Sequence, residues 1–178
     1  SIALADRLDG EVVNADSMQT YRDLRVISAR PTDDEIGKVP HHLFGHVAAS
    51  ERYSTGQWLR DARRKIEGIW KRGKTPIVTG GTGLYHLALI AGLSEIPPVP
   101  EEVRDSVSEM LRQDGVEAVH KRLLELDPQA AESLNAADRQ RITRALEVFL
   151  ATGQSIRSFQ GKRQKPLLSD GEWLGVAL

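Results

Sequence analysis

The sequence contains no cysteine, which excludes disulfide bonds and thiolate metal sites. Its five histidines are scattered, and the one adjacent pair, His41 and His42, lacks the spacing of two metal ligands on one helix face. No apolar run approaches the roughly 18 residues of a membrane-spanning helix. No signal peptide is visible either, so we expect a cytoplasmic protein.

The charge of the chain is nearly balanced, at −1 over 178 residues, which argues against a strongly basic nucleic-acid binder. The distribution is uneven, however. Residues 139–165 carry seven basic side chains and one acidic side chain, a local charge of +6. Such a patch attracts phosphates even on a neutral protein. A solvated helix face is the more ordinary explanation of a basic run considered alone.

The first half of the chain alternates between short strands and helices. Apolar runs predict strands over 11–16 and 75–79, and a shorter strand over 43–47. Ser54 and Gln57 have the spacing of a capping box, which predicts the start of a helix that ends near Gly73. A further helix is expected from Leu84 to Gly92. This order is typical of an α/β fold with a parallel sheet.

The second half of the chain is predominantly helical. After the proline-rich stretch 97–100, the periodicity predicts helices over 101–113, 115–126 and 137–151. The last apolar run, 173–178, predicts a strand. We therefore expect three segments: an α/β core over 1–96, an all-helical insertion over 97–168, and a return to the core over 169–178.

Asp16 lies at the carboxyl end of the first predicted strand. Ligands of open α/β sheets bind at the carboxyl ends of strands, so the turns that follow the strands 11–16 and 75–79 are expected to face one cleft. A carboxylate held there can act as a general base. Asp-Ser is equally common at helix caps and in turns, so the sequence alone does not decide between these interpretations.

The second strand opens into a glycine-rich turn, Gly80-Gly81-Thr82-Gly83. Glycines permit unusual backbone conformations, and the free N–H groups at the start of the next helix favour anions or base edges. Thr82 is also an ordinary helix N-cap residue, and a glycine turn before a helix is a weak signal alone.

The last predicted helix places Gln140, Arg141 and Arg144 on one side, with Ile142 among the residues that pack inward. Guanidinium groups one turn apart can clamp phosphates or stack on a base. Arg30 could also face a phosphate, although a solvated surface arginine is the favoured interpretation there.

The combination of these motifs is far more specific than any one of them. It comprises Ala15-Asp16-Ser17-Met18-Gln19, Pro40-His41-His42-Leu43, Tyr53-Ser54, Gly80-Gly81-Thr82-Gly83-Leu84-Tyr85, and Asp138-Arg139-Gln140-Arg141 through Ala145-Leu146-Glu147-Val148. In order and in spacing the chain resembles the bacterial tRNA dimethylallyltransferases, also called tRNA isopentenyltransferases. The resemblance covers essentially the whole chain.

The resemblance implies a P-loop NTPase-like core with a helical insertion that grips the anticodon stem-loop. It also implies transfer of a dimethylallyl group from dimethylallyl diphosphate to N6 of the adenosine 3′-adjacent to the anticodon. By position, Asp16 matches the base that takes the N6 proton. The tRNA-contacting residues that the resemblance implies are Asp16, Ser17, Met18, Gln19, Thr82, Arg104, Gln140, Arg141, Ile142, Thr143 and Arg144.

The family's glycine-rich phosphate loop is expected just before Ser1, so the diphosphate and Mg²⁺ ligands are not named from this sequence. Mg²⁺ is expected to be held mainly by the diphosphate and by that loop. A chain without the loop is expected to keep tRNA-contact surfaces but to lack catalysis. The expected partners are tRNA and dimethylallyl diphosphate, with no membrane, and a monomer is expected.

Three alternatives remain open at this stage. A P-loop nucleotide or nucleoside kinase shares the core architecture and the strand-end aspartate, and predicts ATP turnover. An adenylate isopentenyltransferase acts on free AMP and does not need a helical lobe that grips an anticodon. A non-catalytic RNA-binding protein would bind tRNA and never consume dimethylallyl diphosphate.

Overall fold

The protein was analysed as a computed structural model that describes residues 1–161 and 163–176. Lys162, part of the basic run, and Ala177 and Leu178, part of the last predicted strand, lie outside the described residues. Within them the chain forms a three-stranded parallel sheet in the order β2-β1-β3, with strands β1 (Gly10–Asn14), β2 (His41–His42) and β3 (Thr75–Thr79).

The central strand, β1, is fully buried along its length. Val12 pairs with His41 on one side and with Ile77 on the other, so both edges of β1 are occupied by parallel neighbours. Continuous burial of this kind is expected of a parallel strand covered on both faces. The register also places Asn14 opposite Thr79, which brings the carboxyl ends of β1 and β3 side by side.

The helices around the sheet follow the local signals of the sequence. They are α1 (Ile2–Leu8), the short α2 (Asp33–Ile36), α3 (Thr55–Lys71) and α4 (Gly83–Ala91), and a 3-10 turn occupies Arg22–Leu24. The predicted capping box is confirmed: the Ser54 hydroxyl accepts from Gln57 N–H, and the Gln57 side chain accepts from Ser54 N–H. Trp58, Ile66 and Ile69 turn inward from α3 to form the core with α4.

Two of the predicted strands are wrong. Residues 43–47 form a loop, and β2 is the preceding pair His41–His42, because only that pair aligns with β1. The last predicted strand does not form over 173–176. Leu174 and Val176 are 90% and 73% exposed, so the run lacks both the backbone ladder and the apolar contact that stabilise a strand.

The chain divides into two compact units, one of residues 1–93 with 165–178 and one of residues 94–164. In the first, the amides of Leu167 and Leu168 donate to the carbonyl of Leu89, which anchors the returning segment to α4. The second contains α5 (Glu101–Leu126), α6 (Pro128–Glu132), α7 (Arg139–Thr152) and a 3-10 turn over Ile156–Phe159.

The second unit is all helical, and its core lies between α5 and α7. Val107, Val119 and Leu123 of α5 are fully buried together with Ile142 and Leu146 of α7. Helix α5 is broken at Gly115, where φ is 81°, so the two separate helices predicted over 101–113 and 115–126 are confirmed. The predicted fold class, an α/β P-loop NTPase-like parallel sheet with an all-helical insertion, is confirmed. Among the described residues, no helix combines the length and apolarity needed to span a bilayer.

Candidate active site

The turns that follow β1 and β3 are bonded to each other. The Ala15 N–H donates to the Thr79 carbonyl at 2.7 Å, and the Thr82 N–H donates to the Ala15 carbonyl at 3.0 Å. These two bonds join the chain beyond the end of β1 to the end of β3 and to the glycine turn that follows it. The adjacency of the two turns, predicted from the strand ends, is confirmed.

Gly80 permits this close approach. Its φ is 152°, and a Cβ atom at this position would lie 2.2 Å from the carbonyl carbon of Ala15 and 2.4 Å from the nitrogen of Asp16. Both contacts are to main-chain atoms, which cannot move aside as a flexible side chain can. Only glycine therefore fits where the second turn packs against the first.

The side chain of Thr82 joins the two turns a second time. Its hydroxyl oxygen accepts from the Ser17 N–H at 2.9 Å, and the hydroxyl donates to the Ser17 hydroxyl at 3.2 Å. Thr82 occupies the N-cap position of α4, but its side chain makes no capping hydrogen bond there. The Thr82 hydroxyl therefore does not cap the helix and bonds to the Asp16 turn instead.

The two carboxylate oxygens of Asp16 differ in their surroundings. Oδ1 accepts from the Met18 N–H at 2.8 Å and from the Gln19 N–H at 3.4 Å, so it closes the turn. Oδ2 receives no hydrogen bond from the part of the chain that the structure describes, and the residue is half-buried. The turn-forming interpretation thus holds for one oxygen, and the other oxygen is available to an incoming donor.

A fully buried asparagine, Asn14, lies beneath this turn, and the sequence reasoning did not single it out. Its side-chain oxygen accepts from the Asp16 N–H, and its amide donates to the Asp16 carbonyl, both at 2.9 Å. The available signal was a polar residue directly after the two valines of the strand, Val12 and Val13. The Asn14 carbonyl in turn accepts from the indole N–H of Trp58 at 2.8 Å.

The floor of the site is aromatic. The rings of Trp58 and Tyr85 are stacked, with centroids 4.1 Å apart and planes 9° apart. Burial, reinforced by the charges of Tyr21 and Asp16, raises the pKa of the Tyr85 phenol to about 12. Tyr85 is therefore a neutral, rigid part of the site at physiological pH.

The segment after Asp16 is held by the loops that surround it. The Gln19 side chain donates to the Ser28 carbonyl at 3.0 Å, and the Gly45 N–H donates to the Gln19 carbonyl at 2.9 Å. Met18 is 47% exposed. The Arg30 guanidinium donates to the Tyr21 carbonyl and packs over Gly45, so the solvated arginine favoured from the sequence is not observed.

The remaining predicted site residues belong to the helical unit. Asp138 caps α7 by accepting from the Arg141 N–H, and it also forms an ion pair with the Arg141 side chain at 3.3 Å. The Arg144 guanidinium lies 3.3 Å from the Glu147 carboxylate. Gln140 and Arg141 are exposed, whereas Arg104 on α5 is partly buried.

Two residues of the α7 segment are less accessible than their neighbours. The side chain of Ile142 is fully buried in the core of the helical unit, as its inward packing predicted, and is therefore not available to a ligand. Thr143 is partly buried, and its hydroxyl oxygen is enclosed with no hydrogen-bond partner among the described residues. The accessible polar side chains of this segment are therefore those of Gln140, Arg141 and Arg144.

No group of three or more histidine, aspartate or glutamate side chains within residues 1–161 and 163–176 is arranged to hold a metal ion. The described residues supply instead one carboxylate, two hydroxyls and a glycine turn.

Comparison with known proteins shows which family the chain resembles. The family model described as IPP transferase matches residues 19–177. A protein named tRNA dimethylallyltransferase from Hyphomonas neptunium is 53% identical over all 178 residues, and its counterpart from Rhizobium rhizogenes is 49% identical over 172 residues. These matches cover 56% and 57% of the two relatives, so the chain spans just over half of their length.

Two solved structures are similar as well. A eukaryotic dimethylallyltransferase, crystallised acting on tRNA, is 30% identical with a TM-score of 0.74, over 95% of this chain and 42% of that one. The tRNA isopentenylpyrophosphate transferase of Bacillus halodurans is 37% identical with a TM-score of 0.51, over 86% of this chain and 51% of that one. Because the family model matches most of this chain, the chain belongs to the IPP transferase family.

Proposed function

We propose that a protein carrying this chain transfers a dimethylallyl group from dimethylallyl diphosphate to N6 of the adenosine 3′-adjacent to the anticodon in tRNA. The observation that carries the proposal is the state of Asp16. One carboxylate oxygen is held by its own turn, and the other accepts no hydrogen bond from the described residues. The names of the relatives and neighbours support the same activity.

In the proposed reaction, the N6 amine of adenine attacks C1 of the dimethylallyl group. A bond forms between N6 and C1, the bond between C1 and the diphosphate oxygen breaks, and diphosphate leaves with its electron pair. The proton that N6 loses passes to Oδ2 of Asp16. An exocyclic amine is a poor nucleophile, so a fixed carboxylate that accepts a hydrogen bond from it lowers the barrier and raises the rate, typically by ~10²–10⁴-fold.

The adenine has to leave its stack to reach such a site. Extruding a base costs a few kcal/mol and is easiest in a loop, which is where the proposed target lies. On the core we propose tRNA contacts from Asp16, Ser17, Met18, Gln19 and Thr82. On the helical unit we propose contacts from Arg104 and from four residues of the α7 segment, Gln140, Arg141, Thr143 and Arg144; the buried Ile142 is left out.

Departure of diphosphate calls for positive charge, and Mg²⁺ is the ion we propose for it. The described residues offer no cluster that fits a metal. We propose that the diphosphate oxygens and a phosphate loop hold the ion, and no step above depends on a metal ligand from the described residues. The protein is proposed to act as a monomer in the cytoplasm, where its tRNA substrate is made.

Parallel transfer assays test the proposal. A full-length protein that contains this chain is incubated with labelled dimethylallyl diphosphate and either an anticodon stem-loop or free AMP. A separate reaction with labelled ATP and a nucleoside measures phosphate transfer. We expect label in the stem-loop, located at N6 of the adenosine next to the anticodon. Label in AMP alone, phosphate transfer from ATP, or tight stem-loop binding without any transfer would each overturn the proposal in favour of a different activity.

A further inference from the structure

Asn14 makes more contacts to Asp16 than its position two residues away requires. The Asn14 side-chain oxygen accepts a hydrogen bond from the Asp16 N–H, and the Asn14 side-chain NH₂ donates one to the Asp16 carbonyl. The same amide donates to the Leu43 carbonyl at 3.1 Å, which ties the arrangement to the loop after β2. A single side chain therefore occupies both polar main-chain atoms of the residue that carries the carboxylate.

A second buried side chain supports the same point. The Thr20 hydroxyl donates to the Asp16 carbonyl at 3.2 Å, and it lies 3.4 Å from the Asn14 amide nitrogen. Both Asn14 and Thr20 are fully buried. Burying polar groups is costly unless their hydrogen bonds are made, and here most of those bonds go to Asp16.

From this geometry we infer that Asn14 is a positioning residue for the transfer reaction: it fixes the backbone of Asp16 so that Oδ2 points to the reacting amine. The inference rests on the proposed function, since it assigns Asp16 the role of base. Only an amide has both the acceptor for the Asp16 N–H and the donors for the Asp16 and Leu43 carbonyls. A valine at this position would leave the Asp16 N–H without its acceptor and would remove the amide donors to the Asp16 and Leu43 carbonyls.

The role predicts a separation between chemistry and binding. In a full-length protein that contains this chain, Asn14→Ala should lower the single-turnover transfer rate by about 10- to 100-fold, the size of loss that accompanies a small misplacement of a catalytic group. Stem-loop affinity should change little, because Asn14 is buried and touches no ligand. Asn14→Asp, which keeps the acceptor but not the amide donors, should have an intermediate rate.

Ile66→Ala is the matched control, since Ile66 is 1% exposed in the same core and is not bonded to the Asp16 turn. The inference is overturned if Asn14→Ala transfers as fast as the wild type, or if Ile66→Ala loses the same factor. If Asn14→Ala does not fold, Asn14→Asp takes its place in the comparison and is judged by the same two outcomes.

A second measurement is independent of activity. The Met18 N–H is bonded to Oδ1 of Asp16, so its hydrogen exchange in the 178-residue chain reports whether the carboxylate is held. We expect exchange at Met18 to be faster in the Asn14 variants than in Ile66→Ala, and equal exchange would contradict the inference. If the wild-type protein does not transfer the dimethylallyl group, the proposed function is wrong. The exchange measurement would still show whether Asn14 holds the Asp16 turn.

Discussion

The Thr82 hydroxyl and the Ser17 backbone, 65 residues apart in sequence, are joined by a hydrogen bond of 2.9 Å. This contact belongs to neither a helix nor the sheet ladder. It connects the turn that carries Asp16 to the glycine turn after β3, so that the carboxylate and the start of α4 form one rigid edge of the parallel sheet. Substitutions at that edge separate structural from catalytic contributions.

Thr82→Val removes both hydrogen bonds to Ser17 while keeping the shape of the side chain. We expect the transfer rate to fall because the Asp16 turn loses its link to α4. We also expect a loss of stability of about 1–3 kcal/mol, since each of the two lost hydrogen bonds typically contributes about 0.5–1.5 kcal/mol. Thr82→Ser retains the hydroxyl and should retain most of the rate. Equal rates for the two variants, measured in single turnover, would show that the hydroxyl is not needed.

Gly80→Ala should disrupt the contact between the two turns. The added methyl would meet the main chain of Ala15 and Asp16, and overpacking of this kind costs about 1–3 kcal/mol. Gly81→Ala is the matched control, because a Cβ atom at Gly81 meets nothing within 4 Å. Urea denaturation of both variants measures the difference, and a Gly80→Ala variant as stable as Gly81→Ala would contradict the packing described here.

Arg141→Ala should weaken stem-loop binding and reduce its dependence on salt. If the Arg141 guanidinium contacts one phosphate, its loss removes the release of about one counterion, which lowers the slope of log K against log salt by ~0.7–0.9. Arg112, also exposed on the helical unit and paired with Glu109, provides a control substitution to alanine. A slope unchanged in Arg141→Ala, or lowered equally in Arg112→Ala, would show that Arg141 makes no specific phosphate contact.

Glu11 should make the stability of the core depend on acidic pH. It is buried, with Arg72 Nη2 at 2.7 Å and His42 Nε2 at 2.6 Å. Burial raises its pKa, but the hydrogen bonds and charges of Arg72 and His42 outweigh burial and leave the pKa below the usual 4.5. Because the folded-state pKa is the lower one, this stabilisation is present above about pH 4.5 and is lost as the pH falls through the folded-state value.

Glu11→Gln should therefore destabilise the chain at pH 7, by about 1–3 kcal/mol, less than the loss of a fully enclosed ion pair because Arg72 is half-exposed. The difference from the wild type should shrink at pH 3.5. Urea midpoints at the two pH values measure it, with Glu67→Gln, an exposed glutamate on α3, as the control. A difference that does not depend on pH would contradict the ionised state assigned to Glu11.

Local signals in the sequence predicted the elements that depend on local contacts. The capping box at Ser54, the break at Gly115 and the end of β3 at Thr79 all follow from residues within a few positions of each other. The role of Asn14 was not predicted because one of its partners, the Leu43 carbonyl, is 29 residues away. Hydrogen bonds of that kind depend on the fold and leave no periodic trace.

The two wrong strands have a related cause. An apolar run such as 173–176 is typical of a strand, but a strand forms only where a neighbouring chain segment supplies its backbone partners. The same limit applies to the 43–47 loop, whose amides bond to Gln19 and Thr20 instead of to β1. Apolar pattern alone therefore indicates where a strand can form, while the choice of partner decides whether it does.

The most direct test of the account is the transfer rate of Asp16→Asn in a full-length protein that contains this chain, measured in single turnover beside stem-loop affinity. Asparagine keeps an oxygen to accept from the Met18 N–H but cannot take a proton from N6. Asp23→Asn is the control, because the Asp23 carboxylate also accepts a hydrogen bond from a main-chain amide, that of Ala49. The account predicts a rate lower by ~10²–10⁴-fold with binding largely retained; a near-normal rate would contradict the assignment of Asp16 as the base.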